Sequence, residues 1–153
     1  MKRFSKPMYG VTLLEIMLVL AVASLILIMG VKYYRSATAS RQANDALNAV
    51  QAIMSLADNI ASSSGSYTAP GLNTAALAAA LPNGGHVPWD TTNTYSIATT
   101  SASYVVTMPN MPPDVCPLVV GKISGLKNFT SGSTTCGTTA TSFTYTYANT
   151  SGF

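Results

Sequence analysis

The chain has 153 residues, 48% of them hydrophobic and only 8% charged, against roughly 25% charged in an ordinary soluble domain. That length fits one domain with an appendage, and the balance excludes a disordered chain, which needs low hydrophobicity and high net charge. The formal charge of +3 comes from Lys2, Arg3 and Lys6; beyond residue 10 five cations face five acids, so nothing here predicts direct nucleic-acid binding, which needs a basic patch on the folded domain.

Residues 1–10, MKRFSKPMYG, form a short basic leader. Residues 11–31 are apolar apart from Thr12, Glu15, Ser24 and Gly30. As a helix these 21 residues span about 31 Å, enough for the hydrocarbon core of a membrane. One such run excludes a multi-span transporter. Lys2, Arg3 and Lys6 flank one end and Lys32, Arg35 and Arg41 the other, so loop charge leaves the orientation undecided.

Residues 32–61 continue as an amphipathic segment. Ala43, Ala46, Leu47, Val50, Ile53, Met54, Ala57, Ile60 and Ala61 recur at spacings of three and four, forming one apolar stripe. No proline occurs between Val11 and Ala69, so one helix of about 50 residues, roughly 75 Å long, is allowed, ending where Ser62-Ser63-Ser64-Gly65-Ser66 begins.

Residues 62–153 read as a globular head. Ser and Thr fill 29 of these 92 positions and only Asp90, Asp114, Lys122 and Lys127 are charged; hydroxyls, not ions, keep such a surface wet, and weak mutual repulsion lets copies pack together. Asn73 to Leu81 predicts a short helix with Asn73 or Thr74 as N-cap, followed by a turn at Asn83-Gly84-Gly85. Strands are predicted at 94–99, 103–108 and 142–148, the last alternating Phe143, Tyr145 and Tyr147 with threonines. Pro112-Pro113-Asp114 predicts a second short helix running to about Ser124. The predicted class is α+β: a long N-terminal helix followed by a small antiparallel sheet with short helices. There is no internal repeat.

Two readings of the N-terminus compete. An ordinary secretory signal would be cleaved at Ala37-Thr38-Ala39, leaving Ser40 first. A 21-residue apolar run, Glu15 within it, and Lys32 and Arg35 before the A-x-A site count against it. The other reading keeps the apolar helix. A carboxylate in hydrocarbon costs a few kcal/mol, and such groups usually find a partner. Glu15 either snorkels to the headgroups or meets a cation at its own depth. Cleavage after Gly10 would create that cation as the α-amino group of Val11, best placed on a neighbouring chain.

Gly10-Val11-Thr12-Leu13-Leu14-Glu15, with a basic leader before and an apolar run after, resembles the processing site of the type IV pilin family. The resemblance implies that a prepilin peptidase cuts between Gly10 and Val11 and methylates Val11. It implies that the precursor sits in the inner membrane and that the mature chain polymerises into an extracellular helical homopolymer through Val11, Thr12 and Glu15. Inner-membrane assembly machinery and an outer-membrane secretin are the other implied partners. Asn110-Met111-Pro112-Pro113-Asp114-Val115-Cys116 is similar to the type IVb branch and to conjugative thin-pilus pilins, while the ten-residue leader and the mature length of 143 are short for that branch. A minor pilin or a type II secretion pseudopilin is the alternative within the family; outside it, a single-pass membrane-anchored binding module. Adhesion, aggregation, conjugation and motility are left open.

Cys116 and Cys136 are either two buried thiols or a disulfide. The exported location that the resemblance implies favours the disulfide, because the periplasm and cell exterior are oxidising. The sequence predicts no enzyme and no cofactor. His86 is the single histidine, placed in a turn or on the surface, and neither a zinc pattern nor a phosphate loop occurs. Asp90 and Asp114 are too few for a calcium cage. Trp89 is expected to anchor the core.

Overall fold

A computed structural model describes residues 10, 12–68, 71–131 and 135–148. The chain divides into two compact units between Ala37 and Thr38. Helix α1 spans Leu13–Ser64, followed by α2 (Thr74–Ala80), a 3-10 turn (Pro82–Gly85), β1 (Ser96–Thr99), β2 (Ser103–Met111), α3 (Cys116–Ile123), β3 (Phe129–Ser131) and β4 (Thr141–Ala148). The α+β layout is present: a long N-terminal helix, apolar in its first part, and a small antiparallel sheet with a disulfide.

The helix outlasts the predicted stop by a few residues. Ser62 Oγ donates to the Asp58 carbonyl (2.6 Å), and Ser63 and Ser64 Oγ to that of Ile60 (2.9 and 2.7 Å). The hydroxyls are thus taken up by carbonyls of the preceding turn, where a serine within a helix can place them. Gly65, at φ 72°, then ends α1 with its N–H on the Ala61 carbonyl (2.7 Å), the left-handed exit for which glycine is suited.

Within the 38–153 unit, α1 buries Ala39, Ala43, Ala46, Ala49, Val50, Ile53, Ala57 and Ala61. Leu47, Met54 and Ile60 of the predicted stripe are half-buried at its margins. The core stripe is thus mainly alanine, and large side chains of the sheet supply the complementary volume. The four strands lie in the order β1-β2-β4-β3, all antiparallel. Register pairs Tyr104 with Tyr147, Val106 with Tyr145 and Met108 with Phe143, so these six share one face. On it Tyr104, Val106, Met108, Phe143 and Tyr145 are buried. The ring of Tyr67 meets Tyr104 edge-on at 5.2 Å, and Tyr104 stacks on Tyr147 at 5.1 Å, favourable aromatic geometries.

Four local differences from expectation have physical causes. β2 extends to Met111 because Asn110, at φ 52°, makes a bulge between Met108 and Met111. The extra residue resets the alternation so that both methionines are buried, and Trp89 Nε1 donates to the Pro109 carbonyl beside it (2.9 Å). Trp89 is half-buried against the core. The helix predicted from Pro112 starts at Cys116; an earlier start would move Pro117 beyond the first turn, where its missing N–H breaks the ladder. β3 has no sequence signal, since three residues carry no readable period; Phe129 lies 5.4 Å from the Tyr145 ring and 5.2 Å from the Tyr147 ring, centroid to centroid. The strand predicted from Thr94 begins at Ser96, with Thr94 in an isolated bridge to His86.

The hydroxyls of Tyr104 and Tyr145 are buried without a hydrogen-bond partner. Burial raises both pKa values well above the usual phenol range, so the groups stay neutral. Each hydroxyl lost its water without gaining a partner. Tyr145→Phe is therefore expected to leave stability unchanged or to raise it by about 1 kcal/mol, measured by denaturant melts of the full chain in detergent. A loss above about 1 kcal/mol would show that the hydroxyl is bonded.

Candidate functional site

The first turn of α1 is built around Thr12. Its carbonyl accepts from the N–H groups of Glu15 (3.0 Å) and Ile16 (3.2 Å), and its Oγ1 accepts from the Glu15 N–H (3.3 Å). Thr12-Leu13-Leu14-Glu15 thus follows the T-x-x-E pattern of a helix N-terminus, a signal present in the sequence and readable from it. Glu15 is the acidic residue of that turn, where a carboxylate interacts favourably with the positive helix end. Its side chain is exposed and, among the described residues, makes no ion pair. Gly10 is exposed with open space around it. Val11, the other half of the predicted junction, lies outside the described residues, as do the leader positions Lys2, Arg3 and Lys6.

From Leu13 to Val31 α1 is apolar on every side and exposed on every side. Its best 18-residue window has a mean hydropathy of 2.7 and none of it is buried. Fourteen large apolar side chains are bare, from Leu13 (78% exposed) to Val31 (55%). At ~1.5–3 kcal/mol each for full burial, water contact forfeits on the order of 20–40 kcal/mol. Single exposed leucines need no explanation, but a continuous apolar cylinder does. Its one mid-run hydroxyl, Ser24 Oγ, donates to the Ala21 carbonyl at 2.8 Å, so it carries no unmet donor into an apolar medium. Lys32, Tyr33, Tyr34 and Arg35 follow at once, the residue types that settle at headgroup level. The helix is long and apolar enough to span or anchor in a membrane.

In the 38–153 unit Cys116 and Cys136 are joined by a disulfide, with their Cα atoms 5.7 Å apart. The bridge ties the start of α3, where Cys116 is buried, to the segment after β3. Asp90 closes a tight turn: Oδ1 accepts from the N–H (2.8 Å) and Oγ1 (2.6 Å) of Thr92, and Oδ2 from Asn93 Nδ2. These bonds, the Thr92 hydroxyl first, pull its pKa down to about 2, which marks a turn-forming carboxylate held ionised. Asp114 is exposed. No group of three or more His, Cys, Asp or Glu capable of holding a metal occurs among the described residues. His86 sits at a turn, one of the two placements expected; it is half-buried, and its Nδ1 is buried without a partner.

The structure places Thr12 and Glu15 together in one helical turn at the head of the apolar cylinder, and the cysteine pair in the other unit. Comparison with protein-family models, with characterised proteins and with solved structures gives no match.

Proposed function

We propose that the chain is the structural subunit of a type IV pilus and that its 38–153 unit is a pilin head. The observation that carries this reading is the apolar cylinder Leu13–Val31, exposed all round and headed by Thr12 and Glu15. A helix of this kind requires two successive environments in the proposed cycle. Lipid covers it in the inner membrane, and the same helices of neighbouring copies cover it in the filament core.

A prepilin peptidase would cut between Gly10 and Val11 and methylate Val11, leaving an amino group beside the first turn. Glu15 of one copy would then pair with that amino group on a neighbour. The carboxylate that is costly in lipid becomes neutralised on assembly, which both drives insertion of the new subunit and sets its register. The head, poor in charge and held by a disulfide, tiles the outside in an oxidising medium. Nothing in this cycle calls on this chain itself for catalysis or a cofactor.

The test is the composition of filaments sheared from cells that express the chain. The reading as a major pilin expects this chain to be the predominant protein of those filaments. A trace component would mean a minor pilin or pseudopilin; a chain confined to the membrane fraction would mean a single-pass anchored module.

A further inference from the structure

The apolar cylinder of α1 carries opposite charges at its two ends. Glu15 stands in its first turn, while Lys32 and Arg35 follow its last apolar residue, Val31. No acidic residue lies between Glu15 and Asp45 in the sequence, and the cation beside Asp45 is Arg41. Lys32 and Arg35 are exposed and make no ion pair among the described residues. One end of the cylinder therefore holds two uncompensated positive charges.

The helical rise sets their depth. Leu13 to Val31 rises about 28 Å, close to the ~30 Å hydrocarbon core of a bilayer. With headgroups the bilayer is about 40–45 Å thick, so each headgroup layer is about 5–7 Å deep. From Val31, Lys32 to Ser36 climbs about 7 Å. These residues therefore lie at the level of the lipid phosphates.

The lining selects the occupant. Met29, Lys32, Tyr33 and Ser36 line one shallow groove, because residues three and four apart share a helix face. Arg35, three residues from Lys32, borders it. Ile26 and Val22, both exposed, carry the same face down the apolar cylinder. The Lys32 ammonium brings three N–H donors, and the Arg35 guanidinium a fork that matches two phosphate oxygens. A zwitterionic lipid has no net charge to offset the two cations. A soluble phosphate would leave the apolar part of the face bare. We propose that this face binds an anionic phospholipid, its phosphate against Lys32 and Arg35 and an acyl chain along Met29, Ile26 and Val22.

The preference is confined to one leaflet, because the end that bears Glu15 carries the opposite charge. The inference rests on the lipid-covered stage of the proposed cycle and on neither cleavage nor assembly.

The experiment places the full chain in phosphatidylcholine vesicles with a trace of photoreactive phosphatidylglycerol or, separately, photoreactive phosphatidylcholine. Labelled peptides are mapped by mass spectrometry, and flotation with the vesicles checks insertion. A cation at an anionic lipid surface favours it about fivefold. Labelling of residues 22–36 is therefore expected to be at least about fivefold higher from phosphatidylglycerol, with no such preference around Glu15. Lys32→Gln with Arg35→Gln keeps a similar helix propensity and is expected to bring the ratio close to one. Inorganic phosphate is expected to weaken the preference no more than chloride of equal ionic strength. Equal labelling by the two lipids in an inserted wild type, a preference that survives in the double variant, or its selective loss to inorganic phosphate would overturn the proposal and leave the membrane placement standing. A chain that does not float would overturn that placement and the proposal with it.

Discussion

Glu15→Val is expected to leave mature subunit in the membrane and to abolish surface filaments. In the membrane the substitution removes a carboxylate that costs a few kcal/mol to insert, so the monomer is not harmed. In the proposed filament it leaves each Val11 amino group without its counter-charge, at several kcal/mol per subunit. Glu15 also sits in the first turn of α1, behind the Thr12 cap. Its interaction with the helix end contributes only about 0.3–1 kcal/mol, too little to abolish assembly. Glu15→Gln separates the two roles, because glutamine also serves in the T-x-x-E turn but carries no charge. If charge pairing drives assembly, both variants fail to make filaments while membrane-embedded subunit persists. Normal filaments from Glu15→Gln would assign Glu15 to the turn alone. Immunoblots of membrane fractions beside electron microscopy of sheared material read both quantities.

Replacing Cys116 and Cys136 together by alanine is expected to destabilise the chain by about 3 kcal/mol, the chain-entropy value for closing a loop of this length. The bridge joins residues 20 apart. At roughly 4 °C per kcal/mol, the value where the ranges for 60–100-residue and 150–250-residue domains meet, the melting temperature of the 38–153 unit falls by roughly 12 °C. Thermal melts of the full chain in detergent, with and without reductant, measure it. The reduced wild type should melt close to the variant, and a midpoint within 3 °C of the oxidised wild type would contradict the estimate.

The parts of the fold that repeat were legible, and the parts fixed by distant contacts were not. The α1 stripe appears in the spacing of Ala43, Ala46, Val50, Ile53, Ala57 and Ala61, because a helix presents every third or fourth residue to one side. β4 appears in the alternation of Phe143, Tyr145 and Tyr147 with threonines. β3 does not, because Phe129–Ser131 is a strand through its pairing with Tyr145–Tyr147. The bulge at Asn110 and the start of α3 at Cys116 depend on a single left-handed residue and a single proline; the proline is visible in the sequence, the bulge is not. At the head of α1, Thr12-Leu13-Leu14-Glu15 carries a helix-cap pattern that is local and legible. His86, beside Gly85, carries the local pattern of a turn or surface residue, yet α1 and Tyr95 join it in one cleft. No local pattern encodes that meeting, since Asp45, His86 and Tyr95 belong to three separate stretches of chain.

The mature N-terminus tests the central claim most directly. Intact-mass and N-terminal peptide analysis of this chain from surface filaments is expected to give N-methylated Val11 as the first residue. A chain beginning at Ser40, or one retaining Met1, would contradict the account.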